Sequence, residues 1–211
     1  MWSEMIFKGK GFFFVAVMLV TACASPLKQI KDPTVPFERP SYSILPPEGK
    51  GWSYIKREKV GAFELTFFKT NPPTHSVAVL IVEKHSFAEF NTSEEFLRFV
   101  KKAKALGTDP RRFKRIRNEI TLDNKFGDYS VKSYSSMQDS KSSNIGENDY
   151  LVLNLYGYTF IHPLFKNIMI DISYSERGTE NEIDPNFENT AKKFLRGLIL
   201  KEDKQAQELN R

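Results

Sequence analysis

One cysteine and three histidines are the whole stock, in 211 residues, of the side chains that most often bind metals or attack substrates. A single thiol cannot close a disulfide within the chain, and it cannot build a multi-thiolate zinc or iron–sulfur site. His75, His85 and His162 are scattered, and none stands at the i, i+4 spacing that puts two ligand types on one helix face. Motifs that carry a mechanism are missing as well. No G-x-S-x-G elbow, P-loop, dinucleotide fingerprint, H-E-x-x-H or calcium loop occurs. Charge of one sign is also scarce: 31 Lys and Arg against 26 Asp and Glu give a net +5. That is far from the concentrated footprint of a nucleic-acid binder. Nucleic acid is not an expected partner, and neither a metal nor a cofactor is expected from these residues.

Long apolar runs are the last shortage. The run from Phe12 to Ala24 has 13 residues, whereas a bilayer-spanning helix needs about 20. It has instead the layout of an export signal: Lys8 and Lys10 ahead, an apolar middle, and small residues at the end. Glu4 is out of keeping with such a leader, and a start at Met5 would remove it.

The lone Cys23 sits where the run ends, and two processing routes compete there. Ala22-Cys23-Ala24 fits the small-x-small rule of ordinary signal peptidase, which would release a protein beginning at Ser25. Val20-Thr21-Ala22-Cys23 resembles the lipobox of bacterial lipoproteins, an aliphatic residue, a small one, Ala or Gly, then Cys. The resemblance implies cleavage between Ala22 and Cys23, acylation of the thiol and of the new amino group, and attachment to a membrane. It accounts for the absence of a second cysteine, because acylation removes the risk of mispairing in an oxidising compartment. Ala24 stands where that family carries Asp for inner-membrane retention, which in a Gram-negative host implies an outer-membrane protein facing the periplasm.

Loss of residues 1–22 removes Lys8, Lys10 and Glu4, takes the net charge from +5 to +4, and leaves 189 residues. That is enough for one domain with its own core. Eighteen Phe and eight Tyr supply large buried areas for a core without disulfides; an aromatic ligand cleft is the alternative use. Residues 23–50 read as the lipidated Cys and a tether. Pro26, Pro33, Pro36, Pro40, Pro46 and Pro47 fall within it, and polyproline II reaches about 3.1 Å per residue, so it could hold a domain up to roughly 80 Å from the bilayer.

From Gly51 to Leu200 the pattern predicts a single domain. Seven strands are expected at 52–57, 62–69, 76–82, 115–122, 128–134, 150–161 and 168–174. Alternation such as Phe63, Leu65, Phe67 against Glu64 and Thr66 marks the second. Thr92 and Glu95 form a capping box before Phe96, Leu97, Val100 and Ala103, predicting a helix that stops at Gly107. Asp184 and Pro185 open a last helix with the stripe Phe187, Ala191, Phe194, Leu195, Leu198. Residues 138–148 read as a polar loop and 201–211 as a charged tail. The fold class is α+β, an antiparallel sheet of about six to seven strands covered by two main helices. The element order resembles the PsbP/Mog1-like fold, found among small exported and lipid-anchored bacterial proteins.

Three groups are candidate sites. Lys101, Lys102, Lys104, Arg111, Arg112, Lys114, Arg115 and Arg117 lie close together with a single acid, Asp109, among them; they read either as a solvated surface or as a contact for an anionic partner. Tyr174, Glu176 and Arg177 read as a polar turn at a strand exit. His75 or His162 with an acid such as Glu176 would be needed for a hydrolase, although adjacent His75 and Ser76 would face opposite ways on a strand. The leading expectation is a non-enzymatic cell-envelope lipoprotein, anchored through Cys23, that binds an envelope protein or anionic lipid. An envelope hydrolase and a small-ligand binder with an aromatic cleft are the alternatives.

Overall fold

The computed structural model describes residues 27–70, 74–140 and 149–202. Ala22, Cys23, the leader and the tail from 203 onward lie outside these residues. In chain order the elements are β1 (Lys28–Gln29), β2 (Phe37–Glu38), β3 (Tyr42–Ile44), β4 (Ser53–Lys59), β5 (Ala62–Thr70), β6 (Ser76–Lys84) and α1 (Ser93–Leu106). They continue with β7 (Phe113–Leu122), β8 (Ser130–Asp139), β9 (Leu151–Ile161), β10 (Met169–Gly178), α2 (Phe187–Leu195) and β11 (Leu198–Leu200). Eight strands form one antiparallel sheet in the order β1-β4-β5-β6-β10-β9-β8-β7, and β11-β3-β2 form a small second sheet.

The period of two sorts the side chains onto two faces. Phe63, Leu65 and Phe67 of β5, Val79 and Ile81 of β6, Ile170, Ile172 and Tyr174 of β10, and Tyr156, Tyr158 and Phe160 of β9 share one cluster with Phe187, Ala191 and Leu195 of α2. Burying each large apolar side chain stabilises by roughly 1.5–3 kcal/mol, and this cluster is the main core. On the opposite face, Phe96 and Val100 of α1 meet Val131, Ile161 and Met169. Gly157 lies at the centre of the sheet, where a Cβ would collide with the carbonyl oxygen of Ile172, so the close approach of β9 to β10 requires glycine there. Gly61, at φ +70°, makes the β4–β5 turn.

The α+β class and the antiparallel sheet agree with the sequence reading, and the seven expected strands are all present. The sheet is larger than expected because β1 adds an eighth strand from the stretch read as a tether. That stretch is not a free spacer from residue 27 onward. Tyr42 and Ile44 are fully buried in the main core, β3 pairs with both β2 and β11, and Phe37 packs edge-on against Tyr54 and Phe67. Prolines prevent helix and limit ladder bonding, but they do not prevent burial: Pro46 and Pro47 are themselves buried. Residues 27–50, as described, therefore pack as part of the same body as the strands from 53 onward.

Two helix details differ. The helix α2 starts after Asn186, and Asp184 instead accepts from the Asn186 N–H at 2.7 Å and the Thr190 hydroxyl at 2.7 Å. Leu198 belongs not to the helical stripe but to β11, opposite Ile44. In α1 the Thr92 hydroxyl accepts from Glu95 N–H at 3.2 Å, and Glu95 reaches back to Asn91 N–H at 2.9 Å, so the capping signal holds with its return bond one residue earlier.

Candidate functional site

The basic cluster lies on the C-terminal half of α1, the turn after it, and β7, the outermost strand at one edge of the sheet. The structure divides it in two. Lys104 reaches Asp171 at 3.3 Å and Arg111 reaches Asp109 at 3.2 Å. Arg117 holds Glu119 at 2.6 and 2.9 Å and lies over the Tyr134 ring at 4.2 Å. Arg112 donates twice to Asp139, at 2.8 Å each. Lys101, Lys102, Lys114 and Arg115 are exposed and have no carboxylate partner among the described residues. A bulge at Ile116, between Arg115 and Arg117, interrupts the ladder with β8. Lysine and a bulge on an edge strand discourage pairing with other sheets, so part of this charge has a structural use. The four exposed cations without a carboxylate partner are what an anionic partner would meet.

Asp139, at 0% exposure, also accepts from Arg177 Nη2 at 2.8 Å. Bonding to Asp139 raises the Arg112 pKa, whereas burial lowers that of Arg177. One buried carboxylate thus ties the turn before β7 to β8 and β10. Tyr174, Glu176 and Arg177 therefore form no turn at a strand exit; they lie inside β10, which runs on to Gly178. Tyr174 and Glu176 face α2 and Arg177 faces the other way, as alternation demands. Burial pushes the Tyr174 hydroxyl up to about 12, with Glu176 and Asp184 adding to the effect.

The structure does bring His75 to Glu176, with Nε2 to Oε1 at 2.8 Å. The same carboxylate accepts from Asp184 N–H at 3.2 and 3.1 Å, so it secures the approach to α2. Glu182 closes the cluster by accepting from the Thr74 and Thr179 hydroxyls and the Thr179 N–H; those bonds lower its pKa, the Thr179 amide most. Ser76 begins β6 on the face away from His75.

His162 lies at the opposite end of the sheet. Its register partner region, Ile161 with Met169, is separated along β10 from Arg177, which pairs with Ser76, by eight residues, or roughly 27 Å. His162 is fully buried, Nε2 bonds the Ser41 carbonyl at 3.0 Å, and Nδ1 accepts from the Leu164 and Phe165 amides at 3.2 and 3.1 Å. Two donors on Nδ1 fix the tautomer with the proton on Nε2. Burial lowers the imidazole pKa, partly offset by the bond to Ser41. Both nitrogens are used in holding backbone.

A cluster that the sequence reading passed over lies beside it. Glu83, 1% exposed, accepts from Ser41 Oγ at 2.7 Å, pairs with Arg39 at 3.3 Å and meets His85 Nε2 at 2.7 Å. Arg39 and His85 also line an open recess of about 450 Å³ with Glu58, Lys59, Ala62 and Phe63. The signal was present in β6: Val77, Val79 and Ile81 put an apolar face in register, and Glu83 continues it. A carboxylate in step with an apolar face needs buried partners. The aromatic wealth is in the core, where Phe63, Phe67, Phe126, Tyr156, Tyr158, Phe160 and Phe187 are buried. Compared with family models and with curated proteins, the chain matches neither.

Proposed function

We propose that this is a non-enzymatic cell-envelope lipoprotein: an α+β module anchored by acylated Cys23 that binds an anionic envelope component. The observation that carries the reading is Val20-Thr21-Ala22-Cys23, the only thiol of the chain, at the end of a 13-residue apolar run too short to span a bilayer. The packing supports it from the other side. His162 has both nitrogens on backbone atoms, and Glu176 is shared between His75 and the approach to α2, so these groups serve the fold. The resemblance to PsbP/Mog1-like proteins in element order fits an exported module of this kind, and Ala24 favours the outer membrane, facing the periplasm, in a Gram-negative host. Lys101, Lys102, Lys114 and Arg115 are the binding residues in this reading.

The test is metabolic labelling with a radioactive fatty acid. Wild type takes up label and fractionates with the outer membrane, whereas Cys23→Ala takes up none. Absence of label in wild type overturns the reading. The hydrolase alternative draws on the 2.8 Å His75–Glu176 pair; it requires that His75→Ala abolish an activity while leaving the fold intact.

A further inference from the structure

The first described strand after Cys23 and the exposed basic strand stand at opposite edges of one sheet. The strand β1 is the outermost strand on one side and β7 on the other. Seven inter-strand spacings separate them, or about 34 Å along the sheet. Leu27, the residue before β1, follows Cys23 by four positions, and four residues span at most about 14 Å even when fully extended. A lipid on Cys23 therefore leaves no room for a stand-off: whatever leaflet holds it lies within that distance of the β1 edge.

That edge has the chemistry for such a neighbour. Leu27 is 62% and Val35 57% exposed, along a segment whose Ile30 and Phe37 point into the core. Lys28 and Lys31 are exposed on the same segment, and Lys56 is exposed on β4 beside it, with its ammonium against the Phe37 and Tyr54 rings. The acid within the segment, Asp32, is engaged with Thr34. Apolar side chains flanked by lysines suit an anionic headgroup layer, where each basic residue contributes on the order of 1 kcal/mol.

We infer that the domain rests on an anionic phospholipid leaflet through its β1 edge, residues 27–36 with Lys56, and that β7 with Lys114 and Arg115 projects away from that leaflet. This rests on the reading of Cys23 as acylated. It makes the anionic partner of the β7 edge something other than the leaflet that holds the anchor.

The experiment uses the full-length acylated protein in vesicles of phosphatidylethanolamine and phosphatidylglycerol containing brominated lipid. Because acylation occupies the Cys23 thiol, one introduced cysteine gives one labelling site. An environment-sensitive fluorophore on Val35→Cys should lose most of its emission to the bromines, and one on Ile116→Cys, exposed at the β7 edge, should keep it. Lys28→Glu with Lys31→Glu should restore emission at position 35. Quenching at 116 equal to that at 35, or at neither position, overturns the inference while leaving the anchor in place. An N-terminal peptide without acyl mass overturns the anchor itself, and the inference with it.

Discussion

His162 donates from Nε2 to the Ser41 carbonyl across 3.0 Å, joining the β9–β10 turn to the segment that leads into β3. Ser41 in turn gives its hydroxyl to Glu83. The N-terminal segment is thereby fastened to the sheet at a buried point, and the Leu164 and Phe165 amides that donate to Nδ1 of the same ring require a neutral imidazole.

A pH dependence follows. Burial depresses the His162 pKa from its ordinary 6.5, with Glu83 opposing and Lys166 reinforcing the shift. The unfolded chain then binds the proton first, so this contribution is complete above about pH 6.5 and is lost as pH falls from there toward the depressed folded value. Urea midpoints at pH 7.5 and 5.5 should fall for wild type. In His162→Gln the fall should be smaller, and an equal fall in both would remove His162 as its cause.

Arg112 and Arg115 are near neighbours with opposite expected behaviour. Arg112→Gln leaves the buried Asp139 with Arg177 as its remaining arginine partner and should cost about 3 kcal/mol, the scale of breaking a buried pair. Arg115→Gln removes an exposed charge and should change stability by less than about 0.5 kcal/mol. Chemical denaturation of the two variants checks this; similar losses would contradict the division of the cluster.

Leu195 is fully buried under α2, while Phe194 is half-buried against Tyr174, with ring centres 5.9 Å apart. Leu195→Ala should therefore cost about 2–5 kcal/mol, and Phe194→Ala less than that. The reverse order in thermal or urea unfolding would mean that α2 packs on a different face.

The four exposed cations that lack a carboxylate partner among the described residues should govern binding to anions. Replacing Lys101, Lys102, Lys114 and Arg115 with Gln should shift elution from an immobilised polyanion to lower salt without loss of stability. The difference should shrink as added salt takes the Debye length below about 8 Å. Unchanged elution would leave these side chains as protection for the β7 edge alone.

The elements were legible where one face is apolar and the other polar. Phe63, Leu65 and Phe67 announce β5, and Thr92 with Glu95 announces α1, because period and capping are local. Tyr42 and Ile44 were not legible as core, since a proline-rich stretch shows no period and the β11 residues they pair with lie more than 100 residues away. The same holds for the site. Eight basic residues look alike in sequence, but Asp139, which takes Arg112 out of the exposed set, reaches it only through the pairing of β7 with β8. Glu83 was readable from its place in the β6 alternation, and Arg39 and Ser41 as its partners were not.

Anchoring of this domain by acylated Cys23 is the step on which the proposed function rests. Mass spectrometry of the N-terminal peptide from protein purified out of cell membranes tests it most directly. The proposed anchor requires a peptide that begins at Cys23 and carries fatty acyl mass on that residue. A peptide beginning at Ser25, or an uncleaved leader with Cys23 as a free thiol, would contradict it.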